Sequence, residues 1–346
     1  MTKAVRSGTA LMAILLLTLL GLAFTRSTED AHVIRIGFLG SPEDEDYAGA
    51  VAFRDKVESL LGARVRVEIY PSGQYCGNER ECIEMLMSGV LDIHMTTVGG
   101  AGRLFPPLQA FDLPYILPND EVAECVFDGP LIDELREKAL QRGIGMRLMT
   151  VGNTGGWRHI ATVSRLVRSP SGLVGLKIRA TPSALQQQLV RALGANPTPI
   201  AWSELYSALA TGVVEGTKNS VQDIVASRLH EHLKYLTLDA HNYMAAIWWY
   251  SESRWQALPA DFKEAVIAGF AVLKQVTRAM PKRESAKALA AFEAAGGTVY
   301  TPDEAERAAF RAAAAPLREW LIARQGPDDV ARLEAAVRAC SAPSSD

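Results

Sequence analysis

The chain has 346 residues, 48% of them apolar and 22% charged, with a formal net charge of −3. The length suits two domains of about 100–200 residues each. The composition is that of a folded globular protein. It excludes a disordered chain and a multi-span membrane protein, and the charge gives no footing for a nucleic-acid partner.

The first informative segment is N-terminal. Lys3 and Arg6 precede an apolar run, Leu11–Phe24, which is shorter than the roughly 20 residues of a membrane span. A basic start and a short apolar core predict a secretory signal, taken as residues 1–27, and export to the periplasm. No cysteine follows the run closely, so a lipid anchor is not expected.

Strands and helices then alternate. Val33–Leu39 reads as a strand, and Gly40–Asp46 as a polar loop whose Asp44, Glu45 and Asp46 are expected to be solvated. Ala50, Phe53, Val57, Leu60 and Leu61 recur at helical spacing, and Val65, Val67 and Ile69 at strand spacing. Asn78 followed by Glu81 opens a helix that Gly89 closes, and Leu91, Ile93 and Met95 alternate again. This β-α-β-α-β order predicts a mostly parallel sheet with helices on both faces.

The pattern restarts beyond Gly152. Arg158–Val163 and Gly175–Ala180 read as strands, and Ser183–Leu193, Ser203–Ala210 and Val221–Leu236 as helices. Asn242–Ser251 is an aromatic strand. Ala260–Ala295 is one long helix kinked at Pro281, and Thr298–Tyr300 is a last strand before alanine-rich helices. No repeat and no flexible linker interrupts this. The prediction is an α/β fold of two lobes joined by strands, with a long helix crossing both. Residues 32–153 with 244–283 form one lobe, and 154–243 with 284–340 the other.

There are four cysteines. Cys76 and Cys82 are six apart around a glycine-containing loop, and in an oxidising compartment a Cys76–Cys82 disulfide is expected. The alternative is two free thiols. A Cys125–Cys340 bridge is left open. No metal site is expected, because no C-x-x-C pair and no histidines at ligand spacing occur. His230 and His232, two apart, read as surface residues. No H-E-x-x-H, G-x-S-x-G or G-x-x-x-x-G-K-[ST] motif occurs, so neither an enzyme nor a cofactor is indicated. The glycine-rich Gly152–Gly156 reads as a flexible crossing or close packing rather than a phosphate loop.

Two arginines carry chemistry. Arg158 opens a strand after Trp157, and Arg179 sits on another between apolar neighbours. A guanidinium there needs a partner. That partner is either a structural Asp or Glu or the carboxylate of a ligand, and the residues alone do not choose.

The stretch 175–224 (GLKIRATPSALQQQLVRALGANPTPIAWSELYSALATGVVEGTKNSVQDI) resembles the substrate-binding proteins of tripartite ATP-independent periplasmic (TRAP) transporters. The likeness extends to Tyr70–Gly73, Glu84, Gly89, Leu91, Asp92 and Phe111–Pro114. It implies a periplasmic-binding-protein-like fold with a ligand cleft between the lobes. It implies a salt bridge from Arg179 to a small organic carboxylate, a second contact from Arg158, and a hydrogen bond from Asn219. Trp202 takes the place of an aromatic ring against the ligand, and Thr97 falls where the first lobe offers polar contacts. The implied partners are the small and large membrane subunits of a transporter, the binding protein itself being a monomer. Two features depart from the pattern: Lys218-Asn219-Ser220 replaces the usual Asn-Pro, and Trp202 is larger than the usual phenylalanine. The aromatic run Trp248–Tyr250 either lines the pocket or packs the core. The same fold would also serve a protein feeding a sensor kinase, or an ATP-driven importer, against which the Arg179–Asn219 spacing argues.

Overall fold

The computed structural model describes residues 31–342; the signal segment read over 1–27 lies outside them. The strands are β1 (His32–Gly37), β2 (Val65–Tyr70), β3 (Ile93–Thr97), β4 (Met146–Thr162), β5 (Lys177–Ala180), β6 (Asn196–Pro199), β7 (Gly216–Asn219), β8 (Tyr235–Ser251) and β9 (Thr298–Tyr300). Helices α1 (Glu45–Leu61), α2 (Glu79–Ser88), α3 (Val98–Ala101), α4 (Asp120–Asp128) and α5 (Pro130–Gln141) lie among the first strands. Then come α6 (Ala184–Ala192), α7 (Leu205–Ala210), α8 (Val221–Ala226), α9 (Glu252–Ala257) and α10 (Ala260–Ala294). The chain closes with α11 (Glu304–Ala314), α12 (Pro316–Gln325) and α13 (Asp328–Ser341).

The sheet runs β2-β1-β3-β8-β4-β7-β5-β6, with β9 beside β8. Its spine is the antiparallel pair β4 and β8, each 17 residues long, in register from Met146–Ser251 to Thr162–Tyr235. One end of the spine joins β3 through residues 246–250 of β8. The other end joins β7 through residues 159–162 of β4, and β9 through residues 235–237 of β8. Two α/β halves therefore share two continuous strands. Each half is parallel inside, β2/β1/β3 on one side and β6/β5/β7 on the other, as read from sequence. The whole is mixed rather than mostly parallel, because β8 returns from the far half and pairs antiparallel with β3 and β4.

The cap signals hold locally. The Asn78 side chain accepts from the Glu81 amide at 3.1 Å, and Gly89 ends α2 at φ +76°. Glu81 itself accepts from Gly77 N–H at 2.8 Å, one residue outside the cap. Ser183 caps α6 as expected. The helix predicted over 221–236 is wrong in its second half. It stops at Ala226, Arg228 turns the chain at φ +58°, and β8 begins at Tyr235. Leu229, Leu233 and Leu236 are all buried, and their spacing of four and three mimics a helix face across a turn and a strand.

Gly152–Gly156 is a bulge inside β4, with a register shift against β8 between Asn153 and Trp157. Gly155 and Gly156 adopt φ +91° and +98°. A Cβ on Gly155 would overlap the Ser220 hydroxyl, and one on Gly152 the Thr277 hydroxyl, so the glycines allow close backbone approach. The long helix α10 spans both halves, packing on α1, β4, α8 and β9. Its contact with α1 is close because a Cβ on Gly269 would fall 2.7 Å from Phe53. Trp248, Trp249 and Tyr250 are fully buried core, not pocket wall. Cys76 and Cys82 are bridged, and a second disulfide, Cys125–Cys340, ties α4 to α13.

Candidate functional site

The site lies where the β4 bulge, the ends of β3, β5 and β7 and the N-termini of α1, α2 and α8 converge. All five residues singled out from sequence line one cavity there: Thr97, Arg158, Arg179, Trp202 and Asn219.

Arg179 is 5% exposed and Arg158 4%. Arg179 Nε donates to the Ile200 carbonyl at 3.0 Å, and Arg158 Nη1 to the Lys218 carbonyl at 3.0 Å. Neither guanidinium has a carboxylate within 4.0 Å among the described residues. The structural ion pair left open by the sequence is thus not formed. Burial, then the neighbouring Arg158, pulls the Arg179 pKa down to about 10, which leaves it charged at neutral pH. Trp202 stacks its ring 5.7 Å from the Arg179 guanidinium carbon.

Asn219 ends β7. Its amide oxygen accepts from the Thr217 hydroxyl at 2.8 Å, which orients the Nδ2 donor toward Asp223 Oδ2, 3.5 Å away. Strand alternation sends the preceding Lys218 elsewhere, onto Gln186 Oε1, so it is absent from the cavity lining. Burial lowers the Lys218 pKa to about 7. Thr97 caps α3, its hydroxyl accepting from Gly100 N–H at 3.4 Å.

The acidic side of the site was not foreseen. Asp44, Glu45 and Asp46, expected to be solvated, are buried. Asp44 is the N-cap of α1 and accepts from the Ser41 amide at 2.5 Å and hydroxyl at 3.1 Å. Asp46 accepts from the Thr154 hydroxyl at 2.7 Å. Glu79, the first residue of α2, and Asp223, in the first turn of α8, complete the acidic lining. Burial is the leading cause of every shift here. It pushes Asp44 up to about 6 and Glu79 and Asp223 to about 7, and holds Glu45 and Asp46 well above the usual range. In the sequence these residues look like helix-cap acids, which normally face water. Only the convergence of three helix N-termini on one cavity reveals them.

The arrangement can hold an anion at two guanidiniums and a side-chain amide. Comparison with known proteins finds relatives over most of the chain. The family model for bacterial extracellular solute-binding proteins of family 7 (DctP) matches residues 37–325. The C4-dicarboxylate-binding periplasmic protein DctP of Rhodobacter capsulatus is 29% identical over 307 residues, covering 88% of this chain and 90% of that protein. Among solved structures, the sugar acid binding protein of Advenella mimigardefordensis in complex with galactonate superposes with a TM-score of 0.86 at 25% identity, over 90% of this chain and 99% of its own. A TRAP periplasmic solute-binding protein of Anaerococcus prevotii with bound glucuronate gives 0.84 at 26%, over 89% and 98%.

Proposed function

This chain belongs to the bacterial extracellular solute-binding proteins of family 7, the TRAP type, and we propose that it captures a small organic carboxylate on Arg179 and Arg158. The family binds substrates for transport. The observation that carries the reading is the pair of buried guanidiniums without carboxylate partners among the described residues, both opening on one cavity. A buried charge without a partner is costly, and a carboxylate supplies the planar acceptors that a guanidinium fork matches. Asn219 Nδ2 adds a third donor. The halves 32–153 with 244–283 and 154–243 with 284–340 act as lobes hinged at the β4 bulge. Binding favours the closed arrangement, whose dry interior strengthens these hydrogen bonds. The relatives named above include periplasmic proteins. Exported through its segment 1–27, this chain would hand its cargo to the small and large membrane subunits of a transporter.

A thermal-shift screen of carboxylic acids identifies the ligand, because binding to the folded state alone raises its melting temperature. Isothermal calorimetry then tests the residue. Removing one partner of a buried pair costs about 3–5 kcal/mol, so Arg179→Ala is expected to weaken binding about 150- to 4,000-fold. Arg179→Lys is expected to fail too, since a point charge does not replace the fork. Unchanged affinity in Arg179→Ala would sink the assignment.

A further inference from the structure

On the reading that Arg179 and Arg158 hold one carboxylate, the charge in the cavity does not balance unless protons come with it. Four acids line the same cavity: Asp44 and Asp46 at the start of α1, Glu79 at the start of α2 and Asp223 in the first turn of α8. Asp223 is 7% exposed, and its Oδ2 stands 3.5 Å from Asn219 Nδ2, the donor assigned to the ligand. The Glu79 carboxyl is folded inward against α3, where a Cβ on Gly100 would overlap it. Thr181, 8% exposed, lines the cavity too, and its hydroxyl has no partner among the described residues, so the lining keeps polar capacity for a ligand.

The lining offers two cations, Arg158 and Arg179. The ligand's carboxylate matches one, and one ionised acid matches the other. Asp44, which accepts from both the amide and the hydroxyl of Ser41, is the acid best held as an anion. A further ionised acid would stand in a dry site without a counter-charge, which is costly. We infer that the protein captures its carboxylate together with protons taken up on Glu79 and Asp223, so that affinity falls as pH rises. Protonated, each of the two can also donate a hydrogen bond. In the structure burial holds both at about 7, so at pH 8 each is mostly ionised. The ligand's negative charge raises both further, and uptake follows above about pH 7. Glu79 faces Arg179, Arg158 and Asp112, and Asp223 faces Asp44, Arg158, Glu45 and Asp46. Burial already holds Glu45 and Asp46 well above the usual range and raises Asp112. It lowers His159 and His241, which stay neutral above pH 7. Lys218, turned onto Gln186, is the competing proton acceptor, since burial lowers it to about 7 and the same anion would recharge it.

Calorimetry on the purified protein tests this with galactonate, or with the tightest monocarboxylate of the thermal-shift screen if galactonate does not bind. Such an acid titrates at about pH 4 in solution, so it stays ionised throughout. Binding at pH 8 in HEPES and in Tris, whose ionisation enthalpies differ, is expected to show uptake of about one proton or more per ligand. Affinity is expected to fall at least about tenfold from pH 7 to pH 8.5 and to level off below about pH 6. The double variant Glu79→Gln, Asp223→Asn is expected to lose most of the uptake and of the pH slope. If it fails to melt cooperatively, each single variant is expected to lose roughly half of both. Lys218→Met is expected to keep them. Binding that depends on neither pH nor buffer, with Arg179→Ala still abolishing it, overturns the proton coupling and leaves the carboxylate reading intact. A slope that survives in the acid variants and vanishes in Lys218→Met overturns the assignment to Glu79 and Asp223. A screen without any monocarboxylate binder overturns the carboxylate reading on which the coupling rests.

Discussion

Arg179 and Arg158 could be found in the sequence but not interpreted there. A buried arginine normally meets a protein carboxylate, and nothing in the residues around these two excludes one. The structure removes that partner among the described residues, because each guanidinium meets a backbone carbonyl and faces a cavity. The acids opposite were illegible for a related reason. Asp44, Glu79 and Asp223 occupy helix-start positions, where an acid needs no further explanation. The burial of Asp44 has a measurable consequence. Asp44 rises to about 6 when folded from an ordinary carboxylate value, so the folded protein binds more protons than the unfolded chain between about pH 4 and 6. Stability from this group is full below that window and is lost as pH rises through it. Asp44→Asn removes the titration. The stability of Asp44→Asn relative to wild type is therefore expected to rise by about 2–3 kcal/mol between pH 4 and pH 7, then level off. Urea unfolding of both proteins across that range reads it; groups remote from Asp44 cancel in the difference, while Glu45, Asp46 and Asp223, which feel its charge, titrate lower in the variant. A flat difference would mean that Asp44 is not buried as described.

At the level of elements, the bulge in β4 sets the geometry of the site. Gly155 lies at φ +91° against the cap of α8, the helix whose start carries Ser220 and Asp223. Gly155→Ala is expected to destabilise the protein by about 1–3 kcal/mol or more and to weaken ligand binding, because the added carbon meets Ser220. Gly143→Ala is the control: its φ is +61° with nothing within 4 Å of the added carbon, so about 1 kcal/mol and no change in affinity are expected. Equal losses in the two variants, by denaturant unfolding and calorimetry, would show that only backbone strain matters at Gly155. The bulge also explains why the spine was only half legible. Caps at Asn78 and Ser183 and the alternation of Val65, Val67 and Ile69 are local signals, and they predicted α2, α6 and β2 well. A strand that resumes its pairing beyond Gly-Asn-Thr-Gly-Gly has no local signal, since those residues read as a break. The far end of β8 was hidden by the helix-like leucine spacing before it.

For the whole molecule, the two halves share β4, β8, α10 and a hydrophobic cluster that runs from Leu86 and Leu148 to Leu189 and Phe310. A motion that opens the cleft must leave that cluster packed, which points to rotation about the β4 bulge rather than separation of the halves. On the proposed reading the cleft opens to admit its ligand, because the guanidiniums are only 4% and 5% exposed. The Ser203 hydroxyl donating to the Gly77 carbonyl at 3.1 Å is one of the contacts that opening must break. It joins the loop held by the Cys76–Cys82 bridge to the turn that carries Trp202. The account therefore stands or falls on what occupies the closed cleft. The most direct measurement is a crystal structure of the protein with the tightest acid from the thermal-shift screen. The expected result is a ligand carboxylate within hydrogen-bond distance of both Arg179 and Arg158, with Asn219 Nδ2 turned to it. A carboxylate that touches neither arginine would contradict the account.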